Sequence, residues 1–159
     1  MLGAITNGNW IQYVANTVNP ATGFSAIYHG FITNPEGLTT IKGNIIGHAT
    51  RDYGYPNLAW TGDEDCDFET MIGFNYTSPT EFPGVGAIYF GNDSSYSEPV
   101  DLKAGENYTD RHSDSYERWG DYFGMQRKYN EPKTVWLTGY FGNQNKQNAT
   151  WLAQVASPD

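Results

Sequence analysis

An all-β chain of short antiparallel meanders is the fold this sequence predicts, and three observations carry the prediction. Charged residues are only 17% and aromatics 16% of 159 residues, with 18 Gly and 8 Pro. That is the composition of aromatic-faced strands joined by turns, not of helices, which draw on Ala, Leu, Glu and Lys. One pattern also recurs. Trp10-Ile-Gln-Tyr-Val-Ala-Asn16, Asn19-Pro20 and Phe24-Ser-Ala-Ile-Tyr28 form a first copy, and Thr70-Met-Ile-Gly-Phe-Asn75, Ser78-Pro79 and Val85-Gly-Ala-Ile-Tyr89 form a second. Val135-Trp-Leu-Thr-Gly139 followed by Thr150-Trp-Leu-Ala153 is a looser third. Finally, turn residues separate the copies at short intervals. A repeat of this length made of strands points to a propeller or a similar β-array rather than a single-core domain.

The elements follow in order. Residues 10–17 read as a strand, Asn19-Pro-Ala-Thr-Gly23 as a turn and 24–32 as the hairpin partner. Aligning Ala26-Ile-Tyr28 with Ala87-Ile-Tyr89 gives the second copy a hairpin loop two residues longer. A third strand fits 38–46, after the Asn34-Pro-Glu-Gly37 turn. Asn57-Leu-Ala-Trp60 is short and apolar, as suits a buried inner strand. Strands over 69–77, 85–91 and 96–102 complete a four-stranded meander, with 79–84 as a loop. Gly120-Asp-Tyr-Phe-Gly-Met-Gln126, 135–141 and 149–155 supply three strands of a further unit. On this reading the chain is one partial propeller domain of two to three blades: an incomplete blade over 1–50 with no inner strand ahead of Trp10, a complete blade over 51–105, and an incomplete closing blade over 106–159.

Two segments resemble a known family. Gly91-Asn-Asp-Ser-Ser-Tyr-Ser-Glu-Pro-Val100 is similar to the Asp-box hairpin of sialidase-like propellers, Ser-x-Asp-x-Gly-x-Thr-Trp, with Asp93 in the Asp place, Tyr96 in the aromatic place and Ser94 or Ser95 where the family has Gly. Glu117-Arg-Trp-Gly-Asp-Tyr-Phe-Gly-Met-Gln-Arg-Lys-Tyr-Asn-Glu-Pro132, with Val135-Trp136 and Thr150-Trp-Leu-Ala153, resembles the closing blade of large secreted bacterial propellers of that superfamily. The resemblance implies a secreted or cell-surface protein, outer-membrane-associated in a Gram-negative bacterium, of which this chain is a C-terminal part. Its expected partners are the missing blades or a larger cell-surface complex, with a glycan as a further ligand. A family defined by fold supports fold more than function.

Arg118, Asp121 and Tyr122 are the catalytic candidates. A retaining sialidase uses a Tyr nucleophile, a carboxylate and arginines on the substrate carboxylate, and Arg111 and Arg127 would add to that set. The competing reading makes Arg118 and Asp121 a structural pair, with Trp119 and Tyr122 packing between blades. Asp63, Asp65, Asp67 and Glu69 alternate as oxygen ligands in a calcium loop do, yet Phe68 stands where a sharp turn needs Gly. A solvated acidic turn is the alternative. Trp10, Trp136 and Trp151, with Trp60, are candidate sugar-stacking platforms or else inter-blade packing.

Several classes are excluded or disfavoured. A net charge of −9 with no basic cluster offers nothing to phosphates, so nucleic acid is not an expected partner. No apolar run approaches a membrane span. The lone Cys66 lies among acids that disfavour its thiolate, and His29, His48 and His112 lack companions at zinc-ligand spacing. No cofactor is expected, calcium apart. Function narrows to a non-catalytic binding or structural module, with the C-terminal part of a glycoside hydrolase as the alternative.

Overall fold

The computed structural model describes residues 2–37, 40–110 and 119–158. Those residues form eleven strands and no helix: β1 Gly3–Thr6, β2 Trp10–Val18, β3 Ser25–Thr33, β4 Thr40–Ile46, β5 Asp52–Trp60, β6 Thr70–Ser78, β7 Glu81–Phe90, β8 Val100–Lys103, β9 Gly124–Arg127, β10 Thr134–Gly142 and β11 Asn148–Ala156. They pair only with their neighbours in sequence, as three antiparallel sheets of order β1-β2-β3-β4, β5-β6-β7-β8 and β9-β10-β11. No strand crosses over, which is what a meander of short turns dictates.

The three sheets stack face to face, with the second in the middle. In β6, Ile72, Phe74 and Tyr76 point one way and pack with Val14 and Ile27 of the first sheet. Met71 and Gly73 point the other way, toward Phe123, Val135 and Leu137 of the third. The middle strand is therefore buried on both faces, and its first seven residues are all buried, while β2 alternates buried and half-exposed residues as a strand with one covered face does. Phe123 is the wedge between the second and third sheets. A Cβ on Gly73 would fall 2.3 Å from its ring and one on Gly139 2.7 Å from it, so two glycines make the slot that one aromatic ring fills. Trp10, Trp60 and Arg127 run through all three layers at one end, the two indoles 6.5 Å apart edge to face and the guanidinium 4.3 Å over the Trp60 ring.

Several sequence expectations change. The first sheet is complete, because Gly3-Ala-Ile-Thr6 supplies the strand ahead of Trp10, pairing Ile5 with Gln12; four residues with one large apolar side chain leave little periodicity to see. The second hairpin loop is shorter, not longer: Pro79 and Thr80 alone separate β6 from β7. The Ala-Ile-Tyr match misleads because Ala26 pairs with Thr17 whereas Ala87 pairs with Gly73. Pro83, expected in a loop, and Pro56, expected ahead of the inner strand, lie within strands at register shifts, where a missing N–H costs no ladder bond. The last inner strand starts at Gly124, and β8 starts at Val100, with Tyr96 held by an isolated bridge to Phe90.

The Phe123 slot is testable. Gly73→Ala destabilises the chain by about 1–3 kcal/mol, the usual cost of overpacking, and adding Phe123→Leu recovers part of that loss. Urea denaturation of the two single variants and the double variant measures this; independent, additive effects would contradict the slot.

Candidate functional site

A cavity of about 400 Å³ opens where the three sheets meet near the start of β5, lined by Ser25, Asp52, Tyr53, Gly54, Tyr55, Asn75, Thr77, Trp119 and Asp121. Each wall is held by a specific bond. Asp52 accepts the Ser25 N–H at 2.7 Å, tying β5 to β3. Tyr55 sits in the bulge between Gly54 and Asn57 with φ +54°, a left-handed conformation that costs a non-glycine residue about 1 kcal/mol or more. Its N–H is captured by Asn16 Oδ1 at 2.9 Å, which holds the bulge in place.

The wall opposite comes from the segment ahead of β9. Gly120 has φ +72° and lies ahead of β9, outside its ladder; its carbonyl accepts from Asn75 Nδ2 at 3.1 Å, while Asn75 Oδ1 accepts the Tyr140 N–H at 3.0 Å. Asn57 Nδ2 adds a bond to the Phe123 carbonyl at 2.7 Å. A buried amide that fills both its donor and acceptor capacity this way fixes the loop as firmly as a strand would. Trp119 and Asp121, flanking Gly120, are thereby turned into the cavity.

A second recess of about 250 Å³ lies between β4 and the 91–96 hairpin, with His29 and Tyr96 in its wall. Gln12 Nε2 donates to the Phe68 carbonyl, so Gln12 Oε1 accepts, and His29 Nε2, 2.9 Å away, carries the proton. His29 Nδ1 is then an acceptor and takes the Tyr96 hydroxyl proton at 2.8 Å. Burial pushes the His29 pKa down from 6.5 to about 4, leaving it neutral. The relay joins the first sheet to the second, and all of its polar atoms are used. Within the hairpin, Asp93 Oδ1 accepts from the Ser95 N–H at 2.9 Å and its hydroxyl at 2.7 Å, which hold its carboxyl below the usual range.

Asp121 lines the main cavity and also a smaller recess, where it is joined by Tyr122, 77% exposed, with Pro56 and Phe123; Arg118, with Arg111 and His112, lies outside the described residues. Arg127 is committed to Trp60 and Arg51 to Glu81 and Asp101, so neither serves the cavity. In the acidic turn, Asp67 Oδ2 accepts the N–H groups of Asp63 and Glu64, both at 3.0 Å, and its Oδ1 takes the Asn92 amide at 2.9 Å. These bonds lower the Asp67 pKa and use its oxygens for the backbone. Among the described residues no group of three acids or other ligands converges on a metal position, so the turn is built by its own hydrogen bonds.

The tryptophans do not form one shared platform. Trp10 is 4% exposed and presents no ring face to solvent. Trp136 pairs with Gln154 and Trp151 with Gly139, three positions apart, so the two rings lie on opposite faces of the third sheet. Asp52, Tyr55, Asn16 and Asn75 went unnoticed as site residues, although the Asp52-Tyr-Gly-Tyr-Pro56 run, with aromatics around a glycine and a proline, carries the signal of a bulge.

No family model, no curated protein and no solved structure matches the chain.

The His29 relay sets an acid limit. Between pH 6.5 and about 4 the unfolded chain binds a proton that the native state refuses, so stability is complete above pH 6.5 and falls by roughly 3 kcal/mol as the pH drops through that window. Urea midpoints taken from pH 7 to 4 read the slope, and His29→Asn flattens it. Asp93→Ala lowers the melting temperature of the chain, whereas Asp93→Asn retains most of the turn.

Proposed function

We propose that the chain is a non-catalytic, glycan-binding module of a secreted or cell-surface bacterial protein, its sheets being blades of a sialidase-like propeller. The observation that carries this reading is the lining of the cavity, the aromatic residues Trp119 and Tyr55 beside the carboxylates of Asp52 and Asp121. Flat rings cover the apolar face of a pyranose, and carboxylates accept from its hydroxyls. The Asp93 turn and the face-to-face sheets are consistent with the propeller reading.

The same lining argues for the kind of sugar. The charged side chains among the described lining residues are the carboxylates of Asp52 and Asp121, a lining that suits a neutral sugar better than an anionic one. A sialidase needs guanidinium groups on its substrate, and both described arginines are engaged elsewhere. A pair of carboxylates in one cavity is the one observation favouring the alternative, a glycoside hydrolase.

Calorimetric titration with neutral and sialylated oligosaccharides separates these outcomes. Binding of neutral glycans, weakened by about tenfold or more in Trp119→Ala, is the expected result. Preference for sialylated glycans, or affinity unchanged by that substitution, would count against it, and release of reducing sugar on prolonged incubation would favour the hydrolase.

A further inference from the structure

The ordinary alternation of a covered strand is reversed on β4. Lys42 pairs with Phe31, Asn44 with His29 and Ile46 with Ile27, and residues paired in this way share a face of the sheet. That face is the one toward the second sheet, where the Phe31 and His29 rings meet Phe90. Ile46 packs against the core there, as the position demands, yet Lys42 and Asn44 are polar. Ile41 and Ile45, on the face turned away, are 65% and 40% exposed. The corresponding strand of the middle sheet keeps to the rule: Leu102 of β8 packs against the core, while Asp101 beside it holds Arg51. Apolar residues turned out and polar ones turned in oppose stability, and such breaks in an otherwise consistent pattern concentrate at functional sites.

Both polar residues line the recess of about 250 Å³ between β4 and the 91–96 hairpin, together with Ser94, Tyr96 and the Phe31 and Phe90 rings. Asn44 has a structural use there, because its amide bonds the Tyr96 hydroxyl and so heads the relay that runs through His29 to Gln12. Lys42 has none: among the described residues it meets no carboxylate, whereas Arg51, Lys103 and Lys128 each hold one. We propose that the recess binds a small monocarboxylate with an aromatic or branched apolar body, the carboxylate on the Lys42 ammonium and the body against the rings. An ammonium and a carboxylate form a charge-assisted bond that gains strength where water is partly excluded. Phe90 supplies the rest, with the His29 ring edge-on to it and the Tyr96 ring tilted against it, both 4.8 Å away, as one continuous aromatic surface. A single cation matches a single negative charge, and a net charge of −9 on the chain disfavours a polyanion. The volume suits one ring, not a peptide or an oligosaccharide. The site is distinct from the Asp52–Asp121 cavity and does not rest on the glycan reading.

The test titrates benzoate into the isotopically labelled whole chain and follows its NMR signals, with benzamide as the neutral isostere and acetate as the charge without the ring. The His29 ring and the amides of 41–45 and 91–96 are expected to shift saturably with benzoate, and benzamide and acetate to bind about tenfold or more weaker. Benzoate is also expected to raise the melting temperature, because it joins β4 of the first sheet to the hairpin of the second only in the native state. Lys42 is exposed, so Lys42→Met preserves the strand and is expected to weaken benzoate by about tenfold or more. Lys42→Arg, Lys133→Met ahead of β10 and Trp119→Ala in the cavity leave the affinity unchanged. No saturable shift, equal affinity for benzoate and benzamide, undiminished affinity in Lys42→Met, or shifts centred on Asp52 and Tyr55 would overturn the assignment. So would acetate binding as tightly as benzoate, which would reduce the recess to a surface charge.

Discussion

The stretch 70–76 of β6 has no solvent face, and most of the structure follows from that. Every side chain on it must either fill apolar space or satisfy its own polar groups without water. Ile72, Phe74 and Tyr76 take the first course toward one neighbouring sheet. On the other side the space is reserved, Gly73 making way for Phe123, and Asn75 takes the second course with both ends of its amide bonded. Those two residues, one by having no side chain and one by having a fully satisfied one, decide where the segment before β9 runs. The cavity exists because that segment is pinned to a buried strand instead of trailing across the surface.

Most of the fold was legible in the sequence because strands, turns and repeats leave local marks. The hairpins around Asn19-Pro20 and Ser78-Pro79 and the pairing of 69–77 with 85–91 join strands that are adjacent in the sequence, across a single turn. What escaped was register. Ala-Ile-Tyr occurs twice, yet the contacts that repeat are those of Asn16 and Asn75, each accepting a backbone N–H from a tyrosine of the following sheet. An equivalence defined by such a bond is invisible in composition and overridden by a chance tripeptide. The cavity was hidden for the same reason: its members come from positions as far apart as Ser25 and Asp121, and only Asp121 stood out in the sequence. Trp10 stays open between two readings in the sequence because a tryptophan suits a ligand platform and a sheet joint equally well, and only its neighbours tell them apart.

Acidic side chains give the chain its charge, yet many of them do structural work. Arg51 gathers Glu81 and Asp101 while lying 4.4 Å over the Tyr76 ring, joining the start of β5 to β7 and β8. Asp67 and Asp93 close turns on either side of the Asn92 amide. The Asp67 and Asp93 carboxylates hold their turns at the end of the stack away from the start of β5. At the other end the left-handed Tyr55 and Gly120 hold the cavity open, so the backbone around it is set before any ligand arrives.

The sheets follow one another in space as they do along the chain, and among the described residues no strand leaves its own sheet to pair with another. A polypeptide emerging from the ribosome or a secretion channel therefore completes each sheet from residues already delivered, with no long loop to close. The first sheet must wait with Val14 and Ile27 uncovered until the second arrives, and the second waits in turn with the Gly73 side bare until Phe123 follows. The layered order makes assembly sequential: each new sheet is a template for the next, and the chaperone-sensitive interval is the time between successive layers.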